Sequence, residues 1–375
     1  MVVRALMEGL PSSFRFVLVS RDKPDDLQQD PLWGRMDAHI SWQGEKEPPH
    51  PEFYQTRREV IGRLTAVHPD LVHLHSGGVY SWGNRWPGAS WPAYLSNQNI
   101  PCVWTNHLVV GLSEGYCGDR KPLWFKLAML PLGYWGKSQQ LRAVSAEICV
   151  SDHDAGKIRR WYFPFQPKVT RIYHSQLREH DIGFSTAPRE KMILAVGHLA
   201  FRKGQQVLVE AFGRIAPHFP EWKLVLVGPE SLDGCGSWIR DFCRREGLES
   251  RVTLTGARDD AQEWMRRCSL FVQPSLQEAL GLALQEAMAC GCACVGTKAG
   301  GIPELILDGF NGRLVDAGVV DPLAGALQEL IEKEDLRSRY GRAGVRYIEA
   351  LGMSQRAMVE AHQKIYREAL TSRSS

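Results

Sequence analysis

Short apolar runs alternate with amphipathic stretches along most of the chain. In the first half the runs predict strands at Phe14–Ser20, Leu71–His75, Cys102–Thr105, Glu147–Val150 and Val169–Tyr173. In the second half they predict strands at Met192–Val196, Lys223–Val227, Val252–Thr255, Leu270–Val272 and Ala293–Gly296. Helical patterns intervene, among them Gln205–Ala216 and Ala261–Arg267. Strands that alternate with helices are the pattern of an open parallel sheet covered on both faces. At 375 residues the chain exceeds what one core ordinarily holds. Two doubly wound α/β domains are therefore expected. The segment DIGFSTAPRE, Asp181 to Glu190, has no periodicity and reads as the linker. It divides residues 1–182 from 183–355, and a last helix at about 356–375 is expected to pack back on the first domain. Ligands of such sheets bind outside the carboxyl ends of the strands, so the expected site is a central cleft that both domains face.

Composition narrows the classes. Hydrophobic residues make up 44% and charged residues 23%, which fits packed cores rather than a disordered chain. The net charge of +3 predicts neither a nucleic-acid binder nor an acidic tail. No apolar run is long enough for a membrane span, and the start lacks the pattern of a signal peptide. The nine cysteines lie among apolar neighbours at spacings unlike zinc-ligand pairs. They read as reduced, small hydrophobic residues, and the cytoplasm as the expected compartment.

Three segments carry candidate chemistry. In EALGLALQEAMACG, Glu278 and Glu286 stand in an otherwise almost wholly apolar run. A helix is predicted from about Gly281 or Leu282 to Ala289, which leaves Glu278 in the loop before it and Glu286 inside it. Carboxylates in a cleft accept hydrogen bonds from hydroxyl groups, and a helix N-terminus is a site for phosphate. The plainer reading is a helix that caps itself with Glu278 and solvates Glu286. In GHLAFRKGQQVLVEAF, Arg202 and Lys203 lie between a strand end and a helix start, placed to meet an anion; a solvated basic loop is the alternative. In KAGGIPELILDGFNGRLV, Gly300 and Gly301 permit close backbone approach, Pro303-Glu304 opens a helical turn, and Asn311-Gly312 reads as a tight turn.

In order and spacing, these segments resemble the retaining glycosyltransferases of family 4, which have the GT-B fold of two Rossmann-like domains. GHLAFRKG is similar to the family's G-R-L-x-x-x-K-G, EALGLALQE to its E-x7-E, and AGGIPELILDGFNG to its GG-x-P-E segment. PDLVHLHS, PCVWTNH and AEICVSDHDAGKI match more weakly in the first half. The resemblance implies a nucleoside-diphosphate sugar as donor substrate, no further cofactor and no metal. It implies that Glu278 binds hydroxyls of the transferred sugar and Glu286 the ribose. Lys203 and Arg202 would flank the diphosphate, with His198 nearby. Leu280, Gly281 and Leu282 would present backbone to sugar and phosphates. Ala257 and Arg258 would lie near the base, and His107 would contact the sugar from the first domain.

The chain departs from the family at four places. His198 stands where the family has arginine, Ala279-Leu280-Gly281 where it has G-F-G, and His174-Ser175 where it has asparagine-glycine. The fourth is the N-terminal domain's first strand, which is expected to be missing: MVVRALMEGLP reads as the end of the first helix and Phe14–Ser20 as the second strand. The acceptor implied is a glycan or a lipid-linked molecule. KPLWFKLAMLPLGYWGK, Lys121 to Lys137, could rest on a membrane surface as a peripheral contact, or be a buried helix broken by Pro131 and Gly133. Trp82, Trp86 and Trp91 could stack on sugars or fill a loop. Two other functions stand beside transfer: a truncated or degenerate homologue that binds a sugar nucleotide without turnover, and a nucleotide-sugar epimerase of the same fold.

Overall fold

The computed structural model describes residues 2–20, 35–41, 51–76, 90–109, 122–185 and 187–371. The chain divides into two compact units, Met1–Tyr173 with Arg356–Ser375, and His174–Gln355.

The first unit opens on helix α1 (Val2–Gly9), strands β1 (Phe16–Ser20) and β2 (Met36–Ser41) and helix α2 (Pro51–Ala66). Strand β3 (Val72–Ser76), helix α3 (Trp91–Asn97), β4 (Cys102–Asn106), helix α4 (Leu123–Ala143), β5 (Ala146–Cys149), helix α5 (Asp152–Trp161) and β6 (Val169–Arg171) follow. Among the described residues, β1 and β2 pair in one parallel sheet and β3-β4-β5-β6 form a second. Every residue of β4 is buried, as a parallel strand covered on both faces requires. Its side chains alternate: Val103 joins a core with Leu6 of α1 and Met358 and Tyr366 of the C-terminal helix, while Cys102 and Trp104 join one with Val60, Leu64 and Leu95.

The second unit alternates strictly. Its strands are β7 (Glu190–Val196), β8 (Lys223–Val227), β9 (Val252–Leu254), β10 (Cys268–Gln273), β11 (Ala293–Thr297) and β12 (Arg313–Val315). Its helices are α6 (Gln205–Ile215), α7 (Cys235–Glu246), α8 (Ala261–Arg267), α9 (Leu282–Ala289), α10 (Ile302–Leu305), α11 (Val320–Glu332) and α12 (Glu334–Ala350). The six strands are parallel in the order β12-β11-β10-β7-β8-β9. One core lies between this sheet and α6, α7 and α11, built from Phe212, Ile239, Leu270, Val295 and Leu327 among others. From β7 the chain winds outward one way through β8 and β9, then returns to β7's other side with β10 and winds the opposite way. The reversal is a topological switch point, where open α/β sheets leave a crevice at their carboxyl ends.

Four expectations need correction. Residues Asp181–Glu190 are not a free linker. The Gly183 N–H bonds the Ala289 carbonyl at 2.9 Å, and Arg189 donates to the carbonyls of Met265, Cys268 and Cys290, so the segment is stitched to the second unit. That unit begins at His174, nine residues before the expected start at 183. Pro131 and Gly133 do not break α4, which runs as one helix from Leu123 to Ala143. Pro131 has no N–H to give the Leu127 carbonyl, and the helix continues past it with that one bond missing. Strands β2 and β12 were not anticipated: MDAHIS alternates apolar and polar residues but holds no apolar run, and RLV is three residues long. Trp82, Trp86 and Lys121 lie outside the described residues, whereas Trp91 opens α3 with Arg57 over its ring. The C-terminal helix α13 (Gln355–Thr371) places Met358, Val359, Tyr366 and Ala369 in the first unit's core.

Candidate functional site

The switch point of the second unit is where the charged residues gather. Strand β7 ends at Val196, and the chain turns through Gly197, His198 and a single 3-10 turn, Phe201–Lys203, into α6. Strand β10 ends at Gln273 and passes through Pro274 and Ser275 to Glu278 and then α9. The two loops are sewn together. The Leu276 and Gln277 N–H groups donate to the Arg202 carbonyl at 2.8 and 3.2 Å. Gly204 has φ of 72°, and a Cβ there would lie 1.9 Å from the Pro274 carbonyl oxygen, so only glycine fits. On the other side, a Cβ on Gly300 would lie 1.5 Å from the Glu278 carbonyl oxygen.

This framing brings Lys203 to Glu278. The Lys203 ammonium donates to Oε2 at 2.7 Å, with the two side chains 17% and 12% exposed, enough for a ligand to reach them. The same oxygen accepts from Gln273 Nε2 at 3.1 Å and Ser275 Oγ at 3.1 Å. Oε1 accepts from the Ala279 N–H at 3.2 Å. Helix α9 then starts at Gly281, whose φ of 103° turns the chain into the helix. Leu280 and Gly281 are buried and Leu282 is half-buried. The first N–H groups of α9 have no intrahelical acceptor, which makes this end an anion site. Glu278 therefore caps nothing beyond its own neighbour; it faces a cation instead.

Glu286 lies in the second turn of α9, half-buried, and no side-chain hydrogen bond is present for it among the described residues. Burial, and then the charge of Asp181, push its carboxyl up to about 7. It is thus only partly exposed to solvent, less than the plainer reading of the sequence expects. Arg202 is exposed, a cation beside the pair. His198 is exposed at the end of β7 and its carbonyl accepts from Gln205 Nε2 at 2.9 Å. Ala257 and Arg258 follow β9 and are exposed. Arg258 is tied to Asp260 at 2.6 Å, and that hydrogen bond holds the Asp260 carboxyl down to about 2. Glu304 sits in α10, and its carbonyl accepts from the Tyr347 hydroxyl. Asn311 is fully buried and bonds the Leu307 N–H and Leu305 carbonyl, which fixes the turn before β12.

His107 belongs to the first unit, directly after β4. Its Nε2 lies 3.1 Å from His75 Nδ1, and the two rings stack. His73, two residues along β3, bonds Thr105 and Tyr366 through its two nitrogens. Burial lowers the pKa of both members of the pair, His75 to about 3, so they are neutral at pH 7. Sequence reasoning missed His75, Gln273 and Ser275. Their signal was a polar residue at the carboxyl end of an apolar run, read as a strand stop.

Comparisons with known proteins identify the fold and the family. Residues 178–346 match the model of glycosyl transferases group 1, and residues 1–175 match that of glycosyltransferase family 4. The N-acetyl-alpha-D-glucosaminyl L-malate synthase of Bacillus anthracis is 30% identical over 187 residues, 50% of this chain and 48% of its own. The D-inositol 3-phosphate glycosyltransferase of Streptomyces scabiei is 26% identical over 329 residues, 81% of this chain and 69% of its own. The chain spans about half the length of the first curated relatives it matches. Among solved structures, sucrose-phosphate synthase from Thermosynechococcus elongatus superposes with a TM-score of 0.75 at 20% identity, covering 99% of this chain and 93% of that one. Anabaena Alr3699/HepE, in complex with UDP and glucose, gives 0.72 at 18% identity, covering 97% and 95%. The architecture is GT-B, with a Rossmann-like sheet in each unit.

Proposed function

The chain belongs to family 4 of the glycosyltransferases, and on that premise we propose that it moves a sugar from a nucleoside-diphosphate sugar to a glycan or lipid-linked acceptor, with retention and without a metal. The observation that carries this reading is the Lys203–Glu278 pair at the switch point, beside the N-terminus of α9. Glu278 would accept hydrogen bonds from hydroxyls of the transferred sugar, and Glu286 from the ribose. The relative solved with UDP and glucose supports a donor of this class.

The acceptor oxygen bonds to the anomeric carbon on the face from which the nucleoside diphosphate departs. The bond to the phosphate oxygen breaks, and the acceptor's proton passes to that oxygen. Negative charge grows on the diphosphate, and Lys203, Arg202, the α9 N–H groups and, when protonated, His198 would meet it. Donors fixed in advance lower such a barrier without reorganising. With this cationic complement a metal has no required place. Ala257 and Arg258 would lie along the base, and Arg258 would have to share its Asp260 partner. A lipid-linked acceptor is supported by α4, whose first turns expose Leu123, Trp124 and Leu127. Such a face suits a bilayer interface as a peripheral contact.

The test is a panel of radiolabelled nucleotide sugars, with and without EDTA, followed for transfer and hydrolysis. Turnover that survives EDTA is expected with at least one donor. Loss with EDTA would remove the metal-free mechanism. Binding without turnover across the panel would favour the second reading, a sugar-nucleotide binder, to which His198 in place of arginine points.

A further inference from the structure

We infer that Gln273 and Ser275 are positioning residues that occupy one oxygen of Glu278 and so decide which oxygen a ligand meets; the inference rests on the transferase reading of the site. Gln273 is the last residue of β10 and is 4% exposed, and Ser275 is fully buried. Gln273 Nε2 donates twice, to Ser275 Oγ at 2.9 Å and to Glu278 Oε2 at 3.1 Å. Ser275 Oγ, having accepted from Gln273, donates its own proton to the same Oε2 at 3.1 Å. With the Lys203 ammonium, Oε2 has three donors. Oε1 has one, the Ala279 N–H, and is the oxygen left for a sugar hydroxyl.

The clamp is itself anchored. Thr297, at the carboxyl end of β11, donates its hydroxyl to the Ser275 carbonyl at 2.6 Å and lies 3.4 Å from that of Gln273. A buried strand end, not a mobile loop, therefore sets the rotamer of Glu278. The amide orientation is informative. Gln273 Oε1 is buried and has no hydrogen-bond partner among the described residues. Turning the amide over would put Oε1 against the Glu278 carboxylate, which it would repel, and would draw the Ser275 proton away from Glu278. The chain thus keeps an unpaired buried carbonyl, an unfavourable arrangement, in exchange for two donors aimed at the clamp. A leucine at 273 would remove the unpaired carbonyl, so stability alone does not account for the glutamine.

Three variants test this in the full chain. Gln273→Leu is expected to melt at or above the wild-type temperature. Its kcat is expected to fall about 10- to 100-fold, the usual cost of a loosened catalytic group, while Kd for the nucleoside diphosphate stays within about 3-fold. Gln273→Glu sets a second carboxylate beside Glu278 and is expected to melt several degrees lower at pH 8. Adding Glu278→Gln to it is expected to recover most of that loss, because one carboxylate again faces Lys203. Wild-type kcat in Gln273→Leu, or a double variant no more stable than Gln273→Glu, overturns the clamp. If neither glutamate variant folds, that too counts against it, since the double variant carries one carboxylate there, as the native chain does. A wild-type protein inactive on every donor would sink the transferase reading alone. The melting rescue would then decide the clamp by itself.

Discussion

Among the described residues each unit holds one lysine–glutamate pair whose side chains are both less than a fifth exposed, and the two are built to opposite ends. In the first unit Lys137 meets both oxygens of Glu147 at 2.5 and 2.7 Å, with the side chains 3% and 0% exposed. Asn106 also donates to Glu147 and is itself held by Trp104 Nε1. Nothing of that carboxylate is left over for a ligand. In the second unit Lys203 and Glu278 share one oxygen, remain partly exposed and leave the other oxygen lightly bonded. Identical charges thus serve as a sealed brace in one place and as a receptor in the other. The difference lies in how many of the carboxylate's acceptor positions the chain itself consumes.

The comparison breaks most sharply at the sealed pair. Lys137→Met leaves the Glu147 charge buried without its cation and is expected to cost ~3–5 kcal/mol in thermal or denaturant unfolding. Replacing Glu147 by leucine as well should return much of it. If Lys137→Met melts like the wild type, Glu147 is not held as a buried anion. The open pair should behave the other way. Glu278→Gln is expected to change stability by ~1 kcal/mol or less and turnover by about 10²-fold. Equal losses of stability in both pairs would erase the distinction.

Glu286 sharpens it through pH. Its carboxyl titrates at about 7 in the folded protein because of burial, well above the unfolded value of ~4.5. The folded state holds this proton more tightly, so stability is lost as pH rises from the unfolded pKa through the folded one, and the loss is complete above it. Glu286→Gln is therefore expected to match the wild type near pH 4 and exceed it by ~1–3 kcal/mol at pH 8, while weakening nucleotide binding. A constant offset across that range would refute the pKa assignment. The smallest effect is expected from Arg202→Ala, an exposed cation whose side chain has no ion-pair partner among the described residues. It should weaken nucleoside-diphosphate binding about 3- to 10-fold, more at low salt than high.

Much of the second unit was legible in the sequence because its strands are buried on both faces and read as unbroken apolar runs. Lys223–Val227, Ala261–Arg267 and the extent of α9 follow directly. The placement of Lys203 beside Glu278 was legible only as a resemblance, since no local pattern brings together residues so far apart in the chain. Gln273 and Ser275 escaped because a polar residue after an apolar run signals a stop whether or not it has a task. The linker was misjudged for a related reason. DIGFSTAPRE lacks periodicity, yet Arg189 binds three carbonyls and Phe184 packs beside Gly291 and Gly341. Irregular backbone can be as firmly held as a helix when its side chains reach the right acceptors.

Strand β7 pairs on one side with β8, the next strand in the chain, and on the other with β10, three strands on, joining Glu190 to Cys268 and Ile193 to Leu270. Closing so long a loop is slow and entropically costly. Lys203 follows β7 and Glu278 follows β10, so the receptor comes into being only when that distant edge closes. During synthesis the cationic half emerges first and stands alone. Parting β10 from β7 would separate Lys203 from Glu278. The pairing of β10 with β7 is what turns two separate loops into one binding surface.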